Sequence, residues 1–149
     1  DLMIKHPVSY WAAAGVTKAN GQPLAADSTP STLLLLQGRS GPAFLAYPNF
    51  DIFMKWNQSL NYSVTAAHLA NRINGAGVFA RGQPTLLLEP AQLKELQVLL
   101  VRAGLYTAEP DGRLGTATRQ AVKAAQLKFG MPADGYPALD ILERLRGRR

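Results

Sequence analysis

The sequence contains no cysteine, which excludes disulfide bonds and any metal site built on thiolates. It has only two histidines, His6 and His68, and no carboxylates cluster beside either of them, so we predict no metal site and no cofactor. No apolar run approaches the roughly 20 residues of a membrane-spanning helix, and the longest, Leu33–Leu36, has the length of a strand. The missing cysteine suits an oxidising compartment without requiring one.

The chain is rich in apolar residues and carries a net positive charge. Apolar residues make up 47% of the 149 residues, enough for a folded core, and the net charge is +6. Residues 1–88 carry six Lys or Arg against three Asp, and residues 89–149 carry ten against seven Asp or Glu, so each part contributes +3. Spread-out positive charge favours a polyanionic neighbour, namely nucleic acid, a membrane surface or a cell-wall polymer. No nucleic-acid-binding motif is present and the basic residues are not interleaved with aromatics, so we predict no nucleic-acid partner.

The first part of the chain shows a mixed pattern. Two short apolar runs, Leu33–Leu36 and Ala43–Tyr47, are bounded by turn residues and predict an antiparallel hairpin. Helices are predicted over residues 6–16 and 61–74, with one or two helical turns over residues 51–57. In the helix over 61–74, one face predicted to be buried consists of Tyr62, Ala66, Leu69 and Ile73.

A glycine- and proline-rich break separates this part from a purely helical one. We predict a linker over residues 77–89, with domains over residues 1–76 and 90–149. Three helices follow, over residues 89–105, 116–130 and 138–147. The fold class is therefore predicted as α+β, a small antiparallel β subdomain with flanking helices followed by a three-helix bundle. Within the bundle, two Asp-Gly loops that each precede a helix form a weak internal repeat.

The helical part resembles the type 1 peptidoglycan-binding domain, a three-helix module of bacterial cell-wall enzymes. The resemblance rests on Leu96-Gln97, Gly104-Leu105-Tyr106, Asp111-Gly112, Leu114-Gly115, Thr118, Ala121-Val122, Gln126, Gly130 and Asp134-Gly135. It departs from the family at Ala125, where an aromatic residue usually stands. It implies a groove around the first Asp-Gly loop that holds the stem peptide or the glycan. The candidate binding residues of this groove are Tyr106, Asp111, Arg113, Thr118 and Arg119. Their alternative roles are structural, as turn former, helix start or solvated side chain.

The first part resembles the C-terminal portion of the type-B lytic murein transglycosylases. The distinctive residues are Pro48-Asn49-Phe50, Trp56-Asn57-Gln58-Ser59 and Tyr62. The resemblance implies a partial lysozyme-like catalytic region in which Trp56, Asn57 and Tyr62 bind substrate along the glycan groove. Glycans suit these residues, since amides pair with hydroxyl and N-acetyl groups while aromatic rings offer flat apolar faces. The alternative is that Trp56 and Tyr62 are core residues and the amides only cap a helix.

The family's catalytic glutamate lies in a Glu-Ser-x-x-Gly motif, which this sequence lacks. The resemblance thus predicts part of a periplasmic, cell-envelope lytic transglycosylase, a murein-turnover lyase that cleaves the MurNAc–GlcNAc bond to give 1,6-anhydro-muramic products. This chain is expected to supply groove residues and wall binding but no catalytic residue, and to be inactive alone. Its expected partners are glycan strands, stem peptides and an upstream segment of the same enzyme, because the chain starts at Asp1 without a methionine. The alternative function is a non-catalytic peptidoglycan-binding or targeting protein.

Overall fold

The computed structural model describes residues 4–79 and 81–147. It divides into two compact units. The first unit comprises Asp1–Leu36 and Pro42–Gly82, and the second comprises Gln37–Gly41 and Gln83–Arg149. The division predicted from the sequence, domains over residues 1–76 and 90–149 with a linker over 77–89, stays a prediction.

The first unit contains a small antiparallel sheet. Its strands are β1 (His6–Pro7), β2 (Pro30–Leu35) and β3 (Ala43–Ala46), in the order β1-β2-β3. The hairpin predicted from the two apolar runs is confirmed, with Leu34 opposite Phe44. The strand β1 was not predicted, because two residues that include a proline carry no alternating pattern.

Three helices complete the first unit: α1 (Val8–Ala13), α2 (Phe50–Trp56) and α3 (Leu60–Ile73). Helix α1 is shorter than the predicted range of 6–16, because residues 6 and 7 pair with β2 instead. The core includes a cluster of three buried residues, Leu34, Phe50 and Val64, with partly buried neighbours from β3, α2 and α3 packed around them. Val8 of α1 is also buried.

The predicted buried face of α3 is wrong. Tyr62, Leu69 and Ile73 are 47%, 58% and 81% exposed, whereas Ser63 and Val64 are buried. Helix α3 packs against α2 through the adjacent stripe that contains Leu60, Val64 and Ala67. Apolar residues occur at helical spacing on both stripes, so the periodicity alone did not identify the packed face.

The second unit contains the three predicted helices, α4 (Pro90–Arg102), α5 (Thr116–Lys128) and α6 (Leu139–Leu145). Their shared core is formed by Leu88, Leu93, Leu96, Leu100, Tyr106, Ala121, Val122, Ala125, Ile141 and Leu142. Helix α4 begins with a capping box in which the Glu89 N–H donates to the Gln92 side chain. The guanidinium of Arg146 holds the end of α6 to α4 through Glu95, at 2.7 Å.

The α+β prediction, a small antiparallel sheet with helices followed by a three-helix unit, is confirmed. Across residues 4–79 and 81–147, every helix is too short or too polar to cross a bilayer.

Candidate functional site

The turn between α2 and α3, residues 56–62, forms what we call the α2–α3 corner. Helix α2 ends at Trp56 because Asn57 leaves the helical region, with φ −142° and ψ 119°. Ser59 then starts α3 as its N-cap, and its side chain accepts a hydrogen bond from the Tyr62 N–H at 3.4 Å. The amides and hydroxyl of this stretch are thus partly explained by the capping chemistry of two abutting helices.

Capping does not account for the two aromatic rings of the corner. The ring centroids of Trp56 and Tyr62 lie 5.5 Å apart, with their planes inclined at 54°. Trp56 is 71% exposed and Tyr62 is 47% exposed, so neither ring belongs to the core. The structure therefore places two neighbouring aromatic faces in contact with solvent, and the alternative that they are core residues is wrong.

Asn57 lies between these rings in sequence and is half-buried. Its Oδ1 accepts from the Ser59 N–H at 2.8 Å, and its backbone carbonyl accepts from the Ser63 hydroxyl at 2.8 Å. The first bond holds the side chain of Asn57, and the second holds its backbone. Its Nδ2 donates to no other residue within 4–79 and 81–147, so both N–H groups of this amide are available to a ligand.

The corner carries neutral polar and aromatic groups and no carboxyl group of its own. Residues 52–88 include no Asp or Glu, so no carboxyl group from this stretch can act as a general acid. The chemistry available at the corner is stacking on Trp56 and Tyr62 and hydrogen bonding by Asn57.

A second candidate region lies in the three-helix unit, around the first Asp-Gly loop, residues 106–115. Gln97, buried inside α4, organises it. Its Oε1 accepts from the Gly112 N–H at 2.8 Å, and its Nε2 donates to Asp111 Oδ1 at 3.0 Å. The same Nε2 lies 3.1 Å from both Thr118 Oγ1 and the Arg113 carbonyl oxygen. One buried amide therefore bonds three consecutive residues of the loop, Asp111–Arg113, and the first turn of α5 at Thr118.

The second Asp-Gly loop, residues 131–137, repeats this arrangement around Gln126 of α5. The Gly135 N–H donates to Gln126 Oε1 at 2.8 Å, and Gln126 Nε2 donates to Asp134 Oδ1 at 2.8 Å. In each loop the residue after the glycine donates its N–H to the same aspartate oxygen, at 2.9 Å in both cases. The internal repeat predicted from the Asp-Gly pairs is confirmed at the level of single hydrogen bonds.

The structure separates the five predicted residues of this unit into three groups. Tyr106 and Thr118 are 8% and 1% exposed, and their hydroxyls lie 3.4 Å apart beside Gln97, so the position of each is a structural one. Asp111 and Arg113 are exposed on the loop surface. Arg119 lies at the second loop rather than the first, with its guanidinium 5.6 Å from the centre of the Tyr136 ring. The role of all five in ligand binding stays a prediction.

Two electrostatic features follow from this geometry. The pKa of Asp111 is lowered by the Arg113 N–H and then by the Gln97 amide, both of which stabilise the carboxylate. Burial raises the pKa of Tyr136 and lowers that of Arg119, since both charged forms would lose water there.

Sequence reasoning did not select Gln126, Asp134 or Tyr136 as site residues. The available signal was the repeat itself, because a glutamine in a helix precedes each Asp-Gly pair.

Two family models match the chain. The model described as "Transglycosylase SLT domain" matches residues 1–71, and the one described as "Putative peptidoglycan binding domain" matches residues 89–145. A curated relative, the "Putative OxPP cycle protein OpcA" of Synechococcus elongatus, is 34% identical over 73 residues, which are 49% of this chain and 16% of the relative.

Two solved structures of SltB3 from Pseudomonas aeruginosa are similar, one in complex with NAG-anhNAM-pentapeptide and one with NAG-NAM-pentapeptide. Each is 38% identical with a TM-score of 0.80, and the match covers 98% of this chain and 40% of theirs. The chain thus spans less than half the length of the relatives it matches. Residues 1–71 of this chain are therefore similar to the transglycosylase SLT domain, and residues 89–145 are similar to the putative peptidoglycan binding domain.

Proposed function

We infer that this chain is part of a bacterial peptidoglycan lytic transglycosylase, an enzyme that cleaves the MurNAc–GlcNAc bond and leaves a 1,6-anhydro-muramic product. The observation that carries the inference is the α2–α3 corner, where exposed Trp56 and Tyr62 flank Asn57 in a segment of the transglycosylase family. Solved SltB3 complexes with NAG-NAM-pentapeptide and NAG-anhNAM-pentapeptide, at 38% identity, support the same substrate class.

Each part of the chain has its own task in this proposal. Trp56, Asn57 and Tyr62 form one wall of the glycan groove, where the rings stack on sugar faces and the amide bonds hydroxyl or N-acetyl groups. The second unit holds the protein on peptidoglycan. The net charge of +6 favours this attachment, because peptidoglycan carries free carboxylates.

The acid that protonates the bridging oxygen is supplied from outside this chain. Its four glutamates, Glu89, Glu95, Glu109 and Glu143, lie in no Glu-Ser-x-x-Gly motif. Glu95 and Glu143 are also engaged with the guanidinium of Arg146. The groove wall is therefore completed by an upstream segment of the same enzyme.

Peptidoglycan-directed domains put the site of action at the bacterial cell envelope. Within the envelope we assign the chain to the periplasm, where glycan strands are accessible.

To test this, the purified chain is incubated with murein sacculi. Two quantities are measured: the fraction of the chain that sediments with the sacculi and the amount of anhydro-muropeptide released. We expect binding without cleavage. Released anhydro-muropeptides would refute the assignment of the acid to another segment, and a failure to sediment would refute wall binding.

The missing Glu-Ser-x-x-Gly motif also favours a second candidate, a non-catalytic peptidoglycan-binding or targeting protein. The two differ in the coding sequence upstream of Asp1, where only the enzyme requires that motif.

A further inference from the structure

The two Asp-Gly loops use their aspartates differently. In both, Oδ1 is engaged inside the loop, by Gln97 and the Arg113 N–H at Asp111, and by the equivalent groups at Asp134. Asp134 Oδ2 also accepts the backbone N–H of Arg39 at 3.0 Å. Asp111 is exposed, and its Oδ2 accepts from no other residue in the described parts of the chain.

The group at Asp134 Oδ2 is a piece of peptide backbone. It belongs to Gln37–Gly41, a segment grouped with the second unit. This segment is fixed by backbone bonds from Gln83 N–H to the Ser40 carbonyl at 2.8 Å and from Thr85 N–H to the Gln37 carbonyl at 3.4 Å. The second Asp-Gly loop therefore binds a peptide segment of its own chain.

Gly38 shows how closely that backbone approaches the loop. It is buried, and a Cβ built on it would lie 3.4 Å from both Asp134 Oδ2 and Tyr136 Cδ1. The peptide thus rests on the loop at van der Waals distance while Arg39 donates its N–H to the carboxylate. This arrangement is a template for what an Asp-Gly loop of this fold can hold.

The first loop has an equivalent aspartate carboxylate, but a different residue follows its glycine. The residue that follows the glycine is Tyr136 in the second loop, where it is 5% exposed, and Arg113 in the first, where it is exposed. The open loop therefore combines an acceptor for a peptide N–H with a cation. A stem peptide of peptidoglycan offers both complementary groups, backbone N–H and free carboxylate. The glycan offers an acetamide N–H, and a carboxylate only on a MurNAc that has lost its peptide. The backbone N–H held by Asp134 in the second loop therefore favours the peptide as the ligand of the first.

We propose that the first Asp-Gly loop binds the stem peptide of peptidoglycan: Asp111 Oδ2 accepts a backbone N–H of the peptide, and Arg113 pairs with one of its carboxylates. This proposal rests on the wall-binding function inferred above and specifies the part of the wall that is recognised. The second loop, occupied by Gln37–Gly41, takes no part in binding.

The test uses the full 149-residue chain, labelled with 15N, and two probes: a free stem tetrapeptide and peptide-free chitotetraose. Asp111→Asn retains an oxygen for the internal bonds and replaces only the outer acceptor, and Asp134→Asn is the matched change in the occupied loop. We expect the tetrapeptide to shift amide signals of residues 111–114. Its affinity should fall about tenfold in Asp111→Asn and stay within about twofold in Asp134→Asn, as expected for one charged hydrogen bond.

A second comparison does not depend on how Asp111→Asn folds. Amidating the carboxylates of the tetrapeptide should weaken its binding to the unmodified chain and leave binding to Arg113→Gln unchanged.

The outcomes separate this proposal from the one it rests on. If the chain sediments with sacculi but binds only chitotetraose, or binds the tetrapeptide equally well in Asp111→Asn, stem-peptide recognition at this loop is overturned while wall binding stands. If the unmodified chain does not sediment with sacculi, the wall-binding function itself is overturned.

Discussion

The backbone of Gly112 lies directly against that of Pro90: a Cβ on Gly112 would stand 2.8 Å from the Pro90 carbonyl oxygen. The same approach occurs in the second repeat, where a Cβ on Gly135 would stand 2.9 Å from the Arg119 carbonyl oxygen. In both loops the glycine also has positive φ, +72° and +69°. The glycine of each Asp-Gly pair is therefore required for two reasons. It adopts a positive φ, and its missing Cβ lets the loop approach a neighbouring backbone carbonyl.

Gly112→Ala should destabilise the second unit by about 3 kcal/mol, from left-handed strain plus the clash with Pro90. Gly104 is the matched control, because it has the same φ of +72° but a Cβ added to it would meet no atom within 4 Å. Gly104→Ala should lose only about 1 kcal/mol. Hydrogen exchange of the buried Leu96 and Leu100 amides reports the free energy of opening in this unit. Equal losses in the two variants would show that the contact with Pro90 is unimportant.

Gln97→Leu should cost about 3 kcal/mol in the same measurement, since it leaves the Gly112 N–H, Asp111 and Thr118 without their shared partner. Gln120→Leu, at an exposed position of α5, is the control and should change the free energy by less than about 0.5 kcal/mol. A loss below about 1 kcal/mol for Gln97→Leu would mean that water replaces the amide and that the network is not a determinant of the fold.

The features that the sequence predicts well are local. The hairpin, the helices of the second unit and the repeated Asp-Gly loops each depend on residues close together in the chain, as does the grouping of Trp56, Asn57 and Tyr62. The features it missed need tertiary information. The packed stripe of α3 was predicted wrongly, because both stripes carry apolar residues.

The bond between Arg39 and Asp134 joins residues 95 positions apart and has no sequence pattern. It is nevertheless what distinguishes the occupied second loop from the open first one. The repeat could be recognised from the sequence, but the difference in ligand access between its two halves could not.

Lowering the pH should destabilise the second unit through Asp111. The Arg113 N–H and the Gln97 amide lower the pKa of Asp111 below the usual 3.8, so the unfolded chain takes up a proton before the folded chain does. The stabilisation is complete above about pH 5 and is lost progressively as the pH falls past 3.8 and through the lower folded-state pKa. Unfolding followed by hydrogen exchange or denaturant between neutral and acidic pH should therefore show a flatter acid limb for Asp111→Asn than for the unmodified chain. Parallel pH profiles would contradict this role.

Trp56→Ala should weaken binding to peptide-free murein glycan strands about tenfold, because an exposed aromatic platform is lost. At 71% exposure, Trp56 contributes little to the core, so the variant should unfold at nearly the same denaturant concentration. Affinity is measured by titrating the strands against protein fluorescence from the remaining Trp11 or by calorimetry.

Tyr10→Ala provides the control for this prediction. Tyr10 is 50% exposed on α1, where it stacks on His6 at 3.9 Å, and it has no place in the proposed groove. Glycan affinity should therefore be unchanged in Tyr10→Ala. If both variants bind strands as tightly as the unmodified chain, the α2–α3 corner is not a glycan wall.

The packed face of α3 can be identified by truncating one side chain on each stripe. Val64 is 7% exposed in the core of the first unit, so Val64→Ala should lower the free energy of unfolding by about 2 kcal/mol. Leu69 is 58% exposed on the adjacent stripe, and Leu69→Ala should change it by less than about 0.5 kcal/mol. Both tryptophans, Trp11 and Trp56, lie in the first unit, so tryptophan fluorescence during denaturant unfolding follows this unit selectively. A larger loss for Leu69→Ala than for Val64→Ala would restore the stripe of Tyr62, Leu69 and Ile73 as the packed face, and with it would remove the exposed ring of Tyr62 on which the proposed glycan wall depends.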